Sequence, residues 1–152
     1  MKNITLILLF TSLSFYVRSQ QSSLPNFDFP DGKSLQDFTD KGVILVYGDS
    51  NCPACQKAQD HLKFRHKKWK EWGFPVVYIA LDSDQNILKE NFGTPPWALY
   101  CDGKSWDSPW VSIANIRATP TLLALDHTLN KRFEAENIAQ MDLWLRMEYV
   151  IK

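Results

Sequence analysis

Val43-Ile44-Leu45-Val46-Tyr47-Gly48-Asp49-Ser50-Asn51-Cys52-Pro53-Ala54-Cys55 is the stretch that decides the fold of this chain. Its first five residues are apolar and mostly β-branched, and they read as a buried strand. Gly48 to Asn51 carries turn chemistry. From Pro53 the composition becomes helical, and Pro53 suits a first helical position, where its fixed φ and missing N–H cost little. Cys52 then stands where unpaired N–H groups and the helix dipole stabilise negative charge, so its thiolate, the reactive form, is favoured. Cys55, three residues on, shares the same face and lies within reach for a disulfide. A dithiol in that position is built to open and close by thiol–disulfide exchange.

Other uses of two such cysteines carry requirements of their own. A structural zinc site needs two further ligands, and the remaining candidates, Cys101, His61, His66 and His127, form no second metal-binding pair. His61 falls about 9 Å further along the expected helix than Cys55. Covalent haem attachment requires a histidine after the second cysteine, where Gln56 stands. A purely structural disulfide remains open, although so short a loop removes little chain entropy. The strand–turn–helix context favours redox chemistry without metal or organic cofactor.

Outward from this stretch, the N-terminus has the pattern of a secretion signal. Lys2 supplies the charge, Ile4 to Val17 is mostly apolar, and Val17-Arg18-Ser19 offers a cleavage motif before Gln20. The apolar stretch is shorter than the ~20 residues of a spanning helix, which favours cleavage over an anchor. The sequence thus predicts a signal peptide over 1–19, a flexible lead-in over 20–25 and one domain over 26–152, exported to a periplasmic or secreted location where disulfides persist. Loss of 1–19 removes Lys2 and Arg18 and leaves 15 basic against 17 acidic side chains, a net charge of −2. That near-neutral balance argues against nucleic acid as a partner, and no stable membrane insertion of the mature chain is expected.

Along the mature chain, Asn26 to Phe29 alternates and reads as a short strand before a turn at Pro30 to Lys33. Ser34 is placed to cap a short helix through Phe38. Cys55, Ala58, Leu62, Trp69 and Trp72 form the apolar line of the first long helix, and its basic block from Lys63 to Lys70 reads as a solvated helix end. Pro75 to Leu81 is a second buried strand, and the helical crossover implies parallel pairing with the first. A short helix is expected from Ser83 to Phe92, then an irregular stretch from Gly93 to Trp110. A short helix follows over Ser112 to Ile116. Thr121 to Asp126 and Lys131 to Ala135 form a hairpin. Ile138, Met141, Leu145 and Tyr149 line one face of a last helix.

This order, with C-P-A-C opening the first helix and Thr119-Pro120 opening the third strand, resembles thioredoxin. Asn26-Phe27-Asp28-Phe29-Pro30-Asp31-Gly32-Lys33, Trp106-Asp107-Ser108-Pro109 and Ile116-Arg117-Ala118-Thr119-Pro120-Thr121 resemble the exported TlpA/ResA-type thiol–disulfide oxidoreductases. The resemblance covers roughly Asn26 to Ile151 and implies an α/β, thioredoxin-like fold, a central mixed sheet flanked by helices. It also implies Cys52 as nucleophile, Cys55 as resolving thiol and a redox-active disulfide between them. Pro120 is then expected to be cis, with Thr119, Pro120, Pro53 and Ala54 forming the substrate-binding surface and the Thr119 backbone pairing with an extended segment. The implied partners are cysteine-containing protein substrates and a redox protein that recharges the dithiol.

The sequence departs from that pattern in two places. Asn51 replaces the tryptophan that usually precedes the first cysteine. Val46 occupies the place of the buried acid of thioredoxin itself, so the resemblance supplies no proton acceptor for Cys55. Asp49 reads as a solvated turn aspartate. Cys101, the odd cysteine, reads as buried and inert, with a third redox thiol or an intermolecular crosslink as the alternatives in an oxidising compartment. Trp97, Trp106 and Trp110 either rim the dithiol or pack the irregular stretch around them. An oxidant or isomerase of the same fold, and a non-catalytic binding module, stand as alternatives to a reductase.

Overall fold

The computed structural model describes residues 23–149 and 151, so the expected signal segment 1–19 lies outside the described residues. Five strands, β1 (Gly42–Gly48), β2 (Val76–Ala80), β3 (Ala98–Tyr100), β4 (Thr121–Asp126) and β5 (Lys131–Ala135), form one mixed sheet in the order β3-β2-β1-β4-β5. β1 runs parallel to β2, β2 parallel to β3, and β4 antiparallel to both β1 and β5. Four α-helices complete the architecture: α1 (Pro53–Glu71), α2 (Gln85–Phe92), α3 (Pro109–Ala114) and α4 (Ile138–Tyr149).

Every residue of β1 and β2 is buried, as strands covered on both faces must be. Alternation divides their side chains between two cores. Ile44, Val46, Val76, Tyr78 and Leu122 pack against Leu62 and Trp69 of α1 and Met141 and Leu145 of α4. Val43, Leu45, Tyr47, Ile79 and Leu123 face Leu35, the Phe27 and Phe29 rings, and Trp110 and Val111 of α3. The polar face of α1 is solvated as expected, with Lys63 and Lys68 paired to Asp60 and Glu71 at 2.9 and 3.2 Å.

Several local expectations are corrected. Asn26–Phe29 makes no strand; Asp28 bridges Ser34 across a tight turn, and the Phe29 ring stacks on Tyr100 at 3.9 Å. Aromatic burial, not sheet pairing, accounts for the alternation. Ser23 and Leu24, assigned to a flexible lead-in, are docked: Ser23 bridges Asn130, and the Leu24 N–H donates to the Leu129 carbonyl at 2.9 Å. α2 is capped by Asp84, not Ser83, through an oxygen that accepts from Asn86 N–H. The irregular stretch contains β3, and α3 begins at Pro109 behind a Ser108 cap, not at Ser112. It ends at Asn115 in the left-handed conformation, before the expected Ile116.

One buried ionic contact ties α1 to α4. Asp142 accepts from the fully buried Trp69 Nε1 at 2.9 Å and from Arg146 Nε at 2.8 Å, with Arg65 at 3.9 Å. Burial pushes the Asp142 carboxyl up, but the Trp69 and Arg146 bonds and the arginine charges outweigh it and hold the group below its ordinary value of 3.8. A carboxyl more acidic in the folded chain stabilises the fold above its unfolded pKa. That contribution fades as pH falls through the folded value. Denaturation midpoints are therefore expected to drop on acidification below about pH 4, and Asp142→Asn to make this drop shallower. Asp126, also held low by its hairpin bonds, leaves part of the drop in place.

Candidate functional site

Because β1 and β4 are antiparallel, the C-terminal end of β1 lies beside the start of β4, with Tyr47 opposite Thr121. The chain leaves β1 through the Asp49–Cys52 turn, where the Cys52 N–H donates to the Asp49 carbonyl at 3.2 Å. It enters β4 through Thr119-Pro120. The sheet thus brings C-P-A-C and Thr119-Pro120 together across 67 residues of sequence, with Cys52 Sγ 3.8 Å from the Thr119 carbonyl oxygen.

Cys52 is the N-cap of α1 and Pro53 its first residue. The Cys55 N–H points at Cys52 Sγ at 3.2 Å, one of the orphan donors of the helix start aimed at the sulfur that would carry negative charge. The two cysteines form a disulfide, with Cα atoms 5.1 Å apart. They differ in access. Cys52 is half-buried, whereas Cys55 is fully buried behind it. An incoming sulfur can therefore reach Cys52 but not Cys55.

The remaining site residues surround this pair. Pro53 and Ala54 are exposed, Thr119 and Pro120 half-buried, and the Thr119–Pro120 peptide bond is cis. A hollow of about 280 Å³ beside the dithiol is lined by Ala54, Ala58 and Pro120, with Lys57, His61 and Glu136 at its edge. A more polar recess of about 600 Å³ lies across Pro120, where Arg117, Lys131 and Glu134 face it. An extended segment crossing Thr119-Pro120 would lie between the two.

Asp49 builds its turn by accepting from Asn51 N–H at 2.7 Å, and Asn51 itself is exposed. Val46 is fully buried and apolar. The tryptophans do not rim the dithiol as a group. Trp97 packs against His66 near the far end of α1, Trp110 stacks with Phe27 in the opposite core, and Trp106 is 46% exposed. Cys101 is buried, its thiol donates to the Asp82 carbonyl at 3.2 Å, and burial pushes its pKa up. A thiol so placed is disfavoured as a thiolate.

Sequence reading missed one part of the neighbourhood, a buried carboxylate behind the turn. Asp82, 4% exposed at the end of β2, accepts from the Ser50 hydroxyl and from the Ser50 N–H. No local motif marks it, because its partner lies 32 residues away. Among the described residues no cluster of three or more His, Cys, Asp or Glu is placed to hold a metal, and no helix is long and apolar enough to cross a membrane.

Strand order, helix placement and a C-x-x-C at the head of α1 define a thioredoxin-like fold. Residues 21–104 match the AhpC/TSA family model, and the chain belongs to that family. It is 40% identical over 73 residues to the thiol-disulfide oxidoreductase ResA of Bacillus thuringiensis subsp. konkukian, a match covering 45% of this chain and 41% of that protein. The chain thus spans less than half the length of the curated relatives it matches. Solved structures share its fold. A thiol-disulfide oxidoreductase from Bacteroides fragilis superposes with a TM-score of 0.73 at 23% identity, over 83% of this chain and 98% of that one. The thioredoxin domain of a thiol-disulfide oxidoreductase from Bacteroides vulgatus gives 0.74 at 17% identity, over 85% and 96%.

Proposed function

We propose that this chain is an exported thiol–disulfide oxidoreductase that reduces disulfides in protein substrates. The observation that carries this reading is the unequal exposure of the pair: Cys52 is accessible at the start of α1, and Cys55 is buried immediately behind it. In the reduced protein the Cys52 thiolate attacks one sulfur of a substrate disulfide. A Cys52–substrate bond forms, and the other substrate sulfur leaves as a thiolate and takes a proton. Cys55 loses its proton and attacks Cys52 Sγ, which closes the Cys52–Cys55 disulfide and expels the second substrate thiolate. Two electrons pass to the substrate. A dithiol protein must then return two electrons to the enzyme by the same exchange in reverse.

Thr119, Pro120, Pro53 and Ala54 are assigned to the surface that receives the substrate, with the Thr119 backbone pairing an extended segment. Export rests on the n-, h- and c-region pattern of residues 1–19, and the mature protein is expected to begin at or near Gln20. The test of function is equilibration of the Cys52–Cys55 pair with glutathione, alongside an insulin-reduction assay. A potential near the roughly −270 mV of thioredoxin, with insulin precipitation, supports the reductive reading. A potential near the about −120 mV of a strong oxidant overturns the direction, and absence of any exchange overturns the activity.

A further inference from the structure

The reductase reading leaves Asp82 and Ser50 without a role, yet both are buried against the turn that presents Cys52. Ser50 is 1% exposed and Asp82 4%. All three polar groups of Ser50 are held. Its hydroxyl and its N–H donate to the Asp82 carboxylate, the N–H at 3.2 Å to Oδ1 and 3.3 Å to Oδ2. Its carbonyl accepts from Gln56 Nε2 at 2.7 Å, in the first turn of α1. Ser50 is thereby pinned between the end of β2 and the start of α1, and Cys52 follows two residues later. A fully satisfied buried network of this kind permits one arrangement of the turn.

Burying a carboxylate is costly, and two donors from a single residue are a specific arrangement to hold it. The turn already has its own bonds through Asp49, so stability alone does not require Asp82. Asp82 is held close to Cys52, since only Asn51 separates Cys52 from its partner Ser50. A negative charge so held in a buried setting opposes a second one.

We propose that Asp82 is a positioning residue for the reactive sulfur, clamping Ser50 to fix the direction in which Cys52 leaves the turn and setting by its charge how readily that sulfur ionises. This rests on the exchange reading of the Cys52–Cys55 pair. The ionisable groups that face Asp82 are Asp49 on the turn, Tyr78 on β2, and Cys101 beyond β3. Burial raises the Asp82 pKa, consistent with a site whose charge is held at a cost.

The test uses the full mature chain as wild type, Asp82→Asn, Ser50→Ala and the double variant. Iodoacetamide alkylation of reduced Cys52 is followed against pH, with the glutathione equilibrium measured alongside. Asp82→Asn removes the charge and one acceptor. The alkylation midpoint is expected to move down by about half to one pH unit, and the equilibrium to shift several-fold toward the dithiol, because the thiolate of the reduced form meets less repulsion. Ser50→Ala keeps the charge and removes the hydroxyl bond of the clamp, leaving the backbone N–H bond in place, so the limiting alkylation rate is expected to change about threefold or more without the same shift of midpoint. The double variant is expected to show no greater rate change than the larger of the two single variants, since both act through one contact.

Lower thermal stability in both single variants, with wild-type alkylation profiles and equilibrium, overturns the proposal and leaves Asp82 a structural residue. Rate changes that multiply in the double variant overturn the shared clamp. If Asp82→Asn does not fold, Ser50→Ala decides, because an unchanged Cys52 rate there refutes positioning through the Ser50 hydroxyl. Failure of wild type to reduce insulin would refute the reductase reading, while the alkylation profiles still judge Asp82.

Discussion

Cys52→Ser is expected to bring insulin reduction down to the level of the dithiothreitol-only control. Cys52 is the sulfur that a substrate can reach, and Cys55, fully buried, has no path to take its place. Serine at the N-cap still accepts a helix N–H, so the fold is expected to survive and the loss to be chemical. Cys55→Ser tests the other half of the cycle. Attack by Cys52 proceeds, but the second sulfur that would release the substrate is gone. A covalent enzyme–substrate adduct should accumulate, visible on a non-reducing gel and dissolved by dithiothreitol. Wild-type turnover in Cys52→Ser would refute the mechanism, and absence of adduct in Cys55→Ser would refute the order of attack.

Trp69→Ala is expected to cost about 3–5 kcal/mol of unfolding free energy, a large share of the roughly 5–15 kcal/mol of an ordinary domain. The indole is fully buried between α1, α4 and the sheet, so its removal leaves a cavity that the flanking strands cannot close. It also strips Asp142 of a buried donor. Trp69→Phe separates the two contributions. Much of the volume stays, and the loss of the donor to Asp142 Oδ1 should account for about 1–3 kcal/mol. Urea denaturation followed by circular dichroism measures both. A Trp69→Phe midpoint equal to wild type would show that the Asp142 bond adds nothing net, with Arg146 supplying all the compensation the carboxylate needs.

The parts of the fold that were legible in sequence are those whose signal is local. β1 and β2 announce themselves through unbroken apolar runs, and α1 through Pro53 and the spacing of Cys55, Ala58, Leu62 and Trp69. β3 gave no such signal. It is three half-buried residues next to prolines, a strand only because β2 offers it a free edge. The start of α3 is marked in the sequence by Ser108-Pro109, an N-cap followed by a favoured first residue. The dithiol and Thr119-Pro120 were readable because their residue types are rare and specific. Asp82 was not, because an aspartate following a strand looks like any turn residue until the chain folds and sets Ser50 against it.

The two outer strands have a consequence for how the molecule behaves among its own copies. An unpaired strand is a template on which another chain can polymerise. Here one border of the sheet, β3, is only three residues long, too short to nucleate a stable addition. The other, β5, carries Lys131, Arg132 and Glu134, with Lys131 bound to Glu134 at 2.9 Å and Arg132 3.7 Å from Asp126. A second copy aligning there would have to bury this charged row. The sheet is thus guarded at both borders against fibrous self-association.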